Sequence, residues 1–190
     1  MGVGGPRNTE PVAVADWKEY AAVGHRIGSA GAPVTILEFG DFECPACRRF
    51  ELDALRPIEA MYPSQVAVVF RNWPLPYHKF AYPSARAAEC AGDQGRFEAI
   101  HDLFYAKQDS LGLKSFAAFA RDAGVRDSAA FARCIGGARF ERTITADSAA
   151  AKRIGGTGTP TLVINGLRLV SIPDSAELDR LVRDALKKLK

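Results

Sequence analysis

Two cysteines two residues apart, in Cys44-Pro45-Ala46-Cys47, are where this chain concentrates its chemistry. On one helical turn that spacing brings both sulfurs within bonding distance and leaves only one of them facing solvent. The preceding stretch, Val34-Thr35-Ile36-Leu37-Glu38-Phe39, is apolar and β-branched, as in a central strand covered on both faces. The following one repeats Phe50, Ala54, Ile58 and Met61 at helical spacing. Cys44 is thereby placed at the N-terminal end of a helix, where unpaired N–H groups and the positive end of the helix dipole favour a thiolate. Pro45 suits the first helical turn, where its missing N–H has no intrahelical partner. Cys44 reads as the exposed attacking sulfur and Cys47 as the shielded resolving one. Half of a zinc site is the competing reading. It requires a second ligand pair nearby in sequence, and Cys90 and Cys134 are too far apart to supply one. No metal is expected.

The elements that must position this pair follow from periodicity and punctuation. Val66-Ala67-Val68-Val69-Phe70-Arg71 predicts a second buried strand closed by the Trp73-Pro74-Leu75-Pro76 turn, and strand–helix–strand implies a right-handed parallel crossover. Pro57 removes the helical bond to the carbonyl of Asp53 and predicts a kink. From about residue 79 to 154 the pattern is helical, with Phe97, Ile100, His101 and Phe104 on one face and Phe116, Phe119, Ala120 and Ala123 on another. Thr161-Leu162-Val163-Ile164, Asn165-Gly166 and Leu167-Arg168-Leu169-Val170 form a hairpin signal with a two-residue type I′ turn. Asp174, with Glu177 three positions on, caps a final helix whose apolar face is Leu178, Leu181, Val182, Ala185, Leu186 and Leu189.

Bulk properties narrow the class. A chain of 190 residues can bury one sizeable core. A net charge of +3, with basic residues spread along the chain, gives no footprint for nucleic acid. No apolar run approaches the length of a membrane span. Four cysteines are compatible with an oxidising compartment without establishing one. Cys90 and Cys134 lie in helical segments away from the motif, which makes them candidates to bridge each other as a structural disulfide; two buried free thiols are the alternative. His25 reads as a surface or packing histidine, His78 and His101 as helix-face packing with a base for a cysteine acyl-transfer enzyme as the alternative, and Asp41 and Glu43 as solvated charges at the rim of the site.

The redox motif and its surroundings resemble the thioredoxin-fold proteins of the DsbA-like thiol:disulfide oxidoreductases. Cys44-Pro45-Ala46-Cys47 matches their Cys-Pro-x-Cys centre, Glu38 stands where they carry a buried acid, and Phe50-Glu51 matches the pair after the second cysteine. Pro76-Tyr77-His78, Ala87-Ala88, Gln94-Gly95-Arg96-Phe97 and His101-Asp102-Leu103-Phe104 resemble the family's helical insertion, and Thr159-Pro160-Thr161-Leu162 its cis-proline loop. The likeness covers about residues 33–190. Read from the residues alone, Thr159-Pro160 would be an ordinary trans loop; the cis bond is what the resemblance implies.

That resemblance implies an α/β, thioredoxin-like fold with an inserted all-helical subdomain. The corresponding division is a flexible leader at 1–15, the first part of the sheet domain at 16–78, the insertion at 79–154 and the second part at 155–190. It implies an extracytoplasmic enzyme that introduces disulfides into exported proteins, with a reductase or isomerase on the same scaffold as the rival. Apart from the resemblance, a non-catalytic zinc-binding or peptide-holding module is the reading from another class, and an intracellular redox protein is the alternative in location. Cys44 and Cys47 would exchange electrons, Glu38 would move the proton of Cys47, Thr159 and Pro160 would meet the substrate chain, and Pro45 and Ala46 would tune the potential. The redox-active disulfide serves in place of a cofactor. The partners implied are reduced or unfolded exported proteins and a membrane quinone-linked reoxidant, with no nucleic acid, the protein itself a monomer. Met1-Gly2-Val3-Gly4-Gly5-Pro6 has no apolar core of a signal peptide, so a periplasmic or other exported location requires a signal or anchor absent from this sequence. Ala46 replaces the histidine of the best-known strongly oxidising members, so a weaker oxidant is expected.

Overall fold

A computed structural model describes residues 10–189. The chain opens with β1 (Val12–Ala13), α1 (Trp17–Ala21) and β2 (His25–Gly28), then enters the central strand β3 (Val34–Gly40). The cysteine helix α2 (Pro45–Arg49) runs through a π-helical turn (Phe50–Leu55) into α3 (Arg56–Met61), and β4 (Val66–Asn72) returns parallel to β3. Five helices follow: α4 (Ala81–Gly92), α5 (Phe97–Ala106), α6 (Phe116–Asp122), α7 (Ser128–Ile135) and α8 (Glu141–Arg153). The hairpin β5 (Thr161–Ile164) and β6 (Leu167–Arg168), then α9 (Ser175–Lys187), complete the fold.

The strands form one mixed sheet in the order β1-β6-β5-β3-β4-β2, with β3 and β4 as its parallel pair and β5 antiparallel to β3. Every residue of β3 and β4 is buried, which explains their continuous apolar composition. Alternation divides the residues between two cores. Val34, Ile36, Val66, Val68 and Phe70 face the cysteine helix, α9 and the inserted helices. Leu37, Phe39, Val69 and Val163 face the opposite side, against Ala150, Ala151 and Ile154 at the C-terminal end of α8, with Trp17 and Tyr20 alongside. α8 thus belongs to the sheet's second covering layer rather than to a separate helical body, although its sequence reads on from the inserted segment. Arg71 points to this side too and is held by Asp147 of α8, Nε to Oδ1 2.7 Å and Nη2 to Oδ1 2.6 Å.

Three local features differ from expectation. Residues 10–15 belong to the span expected to form a flexible leader, yet Val12 and Ala13 pair with Arg168 and Leu167, and Val14 N–H donates to the Gly166 carbonyl at 2.8 Å. Backbone pairing covers the open edge of β6 whatever side chains the added strand carries. Residues 1–9 of that span lie outside the described residues. Next, Pro57 is accommodated by a widened turn: Arg56 N–H donates to the Glu51 carbonyl five residues back. The wider turn retards the helical register, so Ile58 stays buried while Met61, expected on the same stripe, rotates out to 56% exposure. Last, the return strand of the hairpin ends at Arg168, leaving Val170 and Ile172 exposed in the loop that leads to α9. The turn itself has Asn165 at φ 43° and Gly166 at φ 91°, the two positive values of a type I′ turn. A Cβ on Gly166 would lie 2.6 Å from Trp17, so the glycine is required twice over.

Candidate active site

Cys44 is the N-cap of α2, with extended backbone (φ −73°, ψ 119°), and Pro45 occupies the first helical position. The Cys44 carbonyl accepts from Arg48 N–H at 3.1 Å, which starts the helix, while its sulfur lies beyond the free N–H groups of Ala46 and Cys47. The two cysteines are held as free thiols and both are buried: Cys47 completely, and Cys44, expected to be the exposed sulfur, with 6% of its surface accessible because the Thr159 loop lies over it. Their surroundings drive them apart. A hydrogen bond from Cys47 lowers the Cys44 pKa, burial opposes it, and the Thr159 contact and the backbone N–H groups lower it further, to about 5. Burial raises Cys47 well above the usual thiol range, and its bond to Cys44 and the nearby Glu38 charge add to that. One sulfur is ionised near neutral pH and the other keeps its proton.

The loop facing them comes from the far end of the chain. The Thr159–Pro160 peptide is cis, and the Thr159 carbonyl lies 3.4 Å from Cys44 Sγ. Glu38 projects from β3 to the side of the sheet that carries the cysteine helix and is fully buried, with no hydrogen bond of good geometry to either oxygen. Burial, then the neighbouring Glu51, then Cys44 raise its pKa well above the usual carboxylate range. The structure therefore brings Cys44, Cys47, Glu38, Thr159 and Pro160 together, with Pro45 and Ala46 in the first turn between the sulfurs. It places Cys90 and Cys134 elsewhere: they form a disulfide joining α4 to α7, S–S 1.96 Å.

Asp41 and Glu43 are not solvated rim charges. Asp41 is 2% exposed, and its carboxylate accepts from Glu43 N–H, Leu75 N–H and His78 Nδ1, each at 2.8 Å. Burial raises its pKa in spite of those bonds. Glu43 accepts from the Phe80 N–H, tying the same loop to the start of the insertion. An Asp accepting from the N–H two residues on makes an Asx turn, and Asp41-Phe42-Glu43 carries the residue type that signals one. His78 is bound to Asp41, and His101 lies against Glu51 and Asp102. His25 stacks on Phe97 with ring centroids 3.5 Å apart and pairs with Glu89 at 3.0 Å.

Gln108 is a residue the sequence reading missed. Reaching in from just after α5, its Nε2 donates to the carbonyls of Phe42 at 2.8 Å and Cys44 at 3.0 Å. It clamps the strand-to-helix turn that presents the sulfur. Nothing in the local sequence marks a glutamine 64 residues away for that task.

Three shallow hollows border the first turn of α2 and the cis-proline loop without reaching either cysteine: one of about 320 Å³ lined by Ala46, Arg49, Asp53 and Ile172, one of about 420 Å³ lined by Pro45, Arg48 and Gln108, and one of about 220 Å³ along Thr157–Leu162 and Arg168–Ile172. A larger hollow of about 700 Å³ between β6 and α9 contains no cysteine and lies away from the chemistry. Among the described residues, no group of three or more His, Cys, Asp or Glu side chains is placed to hold a metal ion, and no helix is long and apolar enough to cross a membrane.

Comparison with known proteins agrees with this geometry. A 145-residue stretch, 76% of the chain, is 38% identical to the Na(+)/H(+) antiporter NhaA 3 of Salinispora tropica, of which it spans only 22%. The chain thus covers about a fifth of the length of that curated relative. A thioredoxin-like oxidoreductase from Silicibacter pomeroyi superimposes with a TM-score of 0.72 at 27% identity, over 86% of this chain and 92% of that one. Pseudomonas aeruginosa DsbA2 gives 0.65 at 29% identity, over 87% and 93%. The thioredoxin family profile matches residues 21–184. Because that match runs through the sheet, the cysteine helix and the inserted helices alike, the chain belongs to the thioredoxin family, as a DsbA-like protein thiol:disulfide oxidoreductase.

Proposed function

We propose that the enzyme acts as a disulfide oxidase on reduced exported proteins, in the periplasm or another extracytoplasmic space. The observation that carries the reading is the asymmetry of the two sulfurs: Cys44 is lowered to about 5 at the mouth of the site, and Cys47 is raised and sealed beneath it. In the oxidised enzyme a substrate thiolate attacks Cys44 Sγ. The Cys44–Cys47 bond breaks, its electron pair goes to Cys47, and Cys47 takes a proton from Glu38. A second substrate thiolate then attacks the substrate sulfur of the mixed disulfide and expels Cys44 as a thiolate. The substrate leaves oxidised by two electrons and the enzyme reduced. A stabilised Cys44 thiolate is a good leaving group and favours the reduced enzyme, which is the condition for an oxidant.

In this reading Thr159 offers backbone beside the attacked sulfur, and the exposed Val170 and Ile172 flank the path of the substrate chain. A membrane quinone-linked partner would restore the disulfide, and the enzyme would act as a monomer. Ion transport, the activity named for the antiporter, is not part of the proposal, because the match covers about a fifth of that protein.

An equilibrium titration of Cys44/Cys47 against glutathione tests the direction. With Cys44 at about 5, between the values of about 7 for thioredoxin and about 3.5 for the strongest known oxidants, the potential should fall between roughly −270 and −120 mV. A value at or below that of thioredoxin would reject the oxidase reading and leave a reductase.

A further inference from the structure

Helix α2 starts without an ordinary cap. An N-cap residue usually fixes its own backbone by accepting an N–H of the first turn on a side-chain oxygen. Cys44 has no such oxygen and makes no cap hydrogen bond. Its sulfur can draw on the free N–H groups only while it is a thiolate, and that support is withdrawn each time it bonds to Cys47 or to a substrate sulfur. The extended Cys44 backbone therefore needs an anchor that does not change with the redox state. α2 has five residues before the π turn begins and supplies one bond of its own to the Cys44 carbonyl, from Arg48 N–H.

The N–H side of the strand-to-helix turn is held from within. Cys44 N–H donates to the Asp41 carbonyl at 3.0 Å and Glu43 N–H to Asp41 Oδ1 at 2.8 Å. The carbonyl side is held from the insertion, by Gln108. Phe42 is 1% exposed, and among the described residues no backbone N–H reaches its carbonyl; the 2.8 Å bond from Gln108 Nε2 keeps that carbonyl from being buried unpaired. The second bond of the same nitrogen, 3.0 Å to the Cys44 carbonyl, falls on the residue that carries the reacting sulfur. Only the nitrogen end of an amide can face two carbonyls, so the orientation of the side chain follows. Gln108 is itself anchored: it opens the 3-10 turn Gln108–Ser110 after α5, and its carbonyl accepts from Leu111 N–H at 3.0 Å. The neighbouring pair Arg48–Asp109, at 3.0 Å, ties the same two segments, but the Asp109 side chain is 83% exposed and the pair adds little.

A neutral donor suits this position. The charged groups around it are Arg48 and Arg49 of α2, Asp53 of the π turn and Asp109 at the hollow beside Gln108, with Asp41 and Glu43 in the turn itself. Cys47 and Glu38 of β3 act on the sulfur from below. A lysine or arginine in place of Gln108 would add a positive charge beside the sulfur, and an ionised carboxylate could donate to neither carbonyl. An amide holds both without biasing the charge of the thiolate.

We propose that Gln108 is a positioning residue for thiol–disulfide exchange: from the inserted helical segment it fixes the Phe42 and Cys44 carbonyls, and so keeps the Cys44 sulfur over the free N–H groups at the start of α2. The inference rests on the reading that those N–H groups stabilise the Cys44 thiolate, and it holds for exchange in either direction.

The test reads the Cys44 midpoint from thiolate absorbance against pH and the potential from thiol trapping in glutathione buffers. Gln108→Met fills similar space without a donor. It should raise the midpoint by at least one unit from about 5. One unit is a tenfold change in the thiolate equilibrium, so the potential should become more negative by about 30 mV. Brief iodoacetamide treatment should still modify Cys44 and spare Cys47, which shows that the site is folded. Gln108→Asn keeps the amide but is one methylene shorter, reaches one carbonyl at most, and should move both quantities the same way by less. Cys90→Ala with Cys134→Ala is the control for lost stability alone, and should leave the Cys44 midpoint and the potential within error of wild type; an equal rise in that control would trace the shift to stability and overturn the proposal. A Gln108→Met protein that melts earlier but keeps the wild-type midpoint and potential reduces Gln108 to packing and overturns it too. Should the methionine variant not fold, the same result in Gln108→Asn does so. A wild-type midpoint near the ordinary 9.0 would instead remove the stabilised thiolate itself, and the inference would fall with the reading it rests on.

Discussion

Replacing Ala46 with histidine tests whether the Cys44 thiolate sets the potential of this enzyme. At pH 7, a sulfur lowered from its ordinary 9.0 to about 5 is ionised two decades further than an unperturbed thiol. At about 1.36 kcal/mol per decade, that favours the reduced enzyme by roughly 2.7 kcal/mol, or about 60 mV for a two-electron couple. Ala46 contributes only its backbone N–H to that stabilisation. Its methyl group borders a hollow of about 320 Å³ shared with Arg49, Asp53 and Ile172, so a larger side chain has somewhere to go. An imidazole there can donate to the thiolate in a charge-assisted bond worth roughly 1.5–3 kcal/mol. Because Cys44 is already ionised at pH 7, each further unit of lowering transfers fully to the potential, at about 30 mV per unit. Arg49 works against a protonated imidazole and Asp53 works for it, so the lower half of the range, roughly 30–45 mV, is the expected gain. Thiol trapping after equilibration in glutathione buffers gives the potential, and thiolate absorbance against pH gives the Cys44 midpoint. The two should move together, the potential upward and the midpoint downward. A lowered midpoint with an unchanged or more negative potential would refute the link between thiolate stability and oxidising power.

The depressed Cys44 pKa also makes the stability of the reduced protein depend on pH. The contribution is complete above the ordinary value of 9.0, shrinks below it and is lost as pH falls through about 5. The margin of reduced over oxidised protein in urea denaturation should therefore grow by roughly 2 kcal/mol from pH 5 to pH 7; a flat difference would contradict the assignment. Removing the α4–α7 disulfide by Cys90→Ala with Cys134→Ala opens a loop closed across 44 positions and should cost about 4 kcal/mol of unfolding free energy in the chain-entropy model. Exchange of Cys44 with glutathione disulfide should stay within about twofold of wild type. Asp147→Ala strands the guanidinium of Arg71, which is only 5% exposed, and should destabilise by roughly 3–5 kcal/mol in the same denaturation assay. Arg71→Met with Asp147→Leu should recover most of that loss, because neither charge is then left buried alone.

The chemistry and frame of this protein were legible in its sequence because both are encoded over short distances. Cys44-Pro45-Ala46-Cys47 carries its own geometry once a strand precedes it and a helix begins on it. Asn165-Gly166 specifies a turn that only positive φ values can make, and Asp174 caps α9 by accepting from Glu177 N–H at 2.8 Å, three residues on. β3 and β4 announce themselves because every position in them is buried, so apolar composition and structural role coincide. Glu38 is the exception inside such a strand, and its charge in an apolar run marked it as a residue with a task.

Tertiary structure decided which other polar groups were taken out of water, because that depends on neighbours tens of residues away. Asp41 became a buried hub only when Leu75 and His78 arrived 34 and 37 positions later. Gln108 clamps a turn 64 residues earlier in the chain, and His101 meets Glu51 only because α5 packs across the π turn created beside Pro57. Val12 and Ala13 look like part of a tail until the edge of β6 gives them a backbone to pair with. Periodicity records which face of an element is apolar, whereas the pKa and the partner of a charged side chain are properties of the assembled core. The sulfurs of this enzyme could therefore be read from four consecutive residues, and the polar groups arranged around them only from the fold.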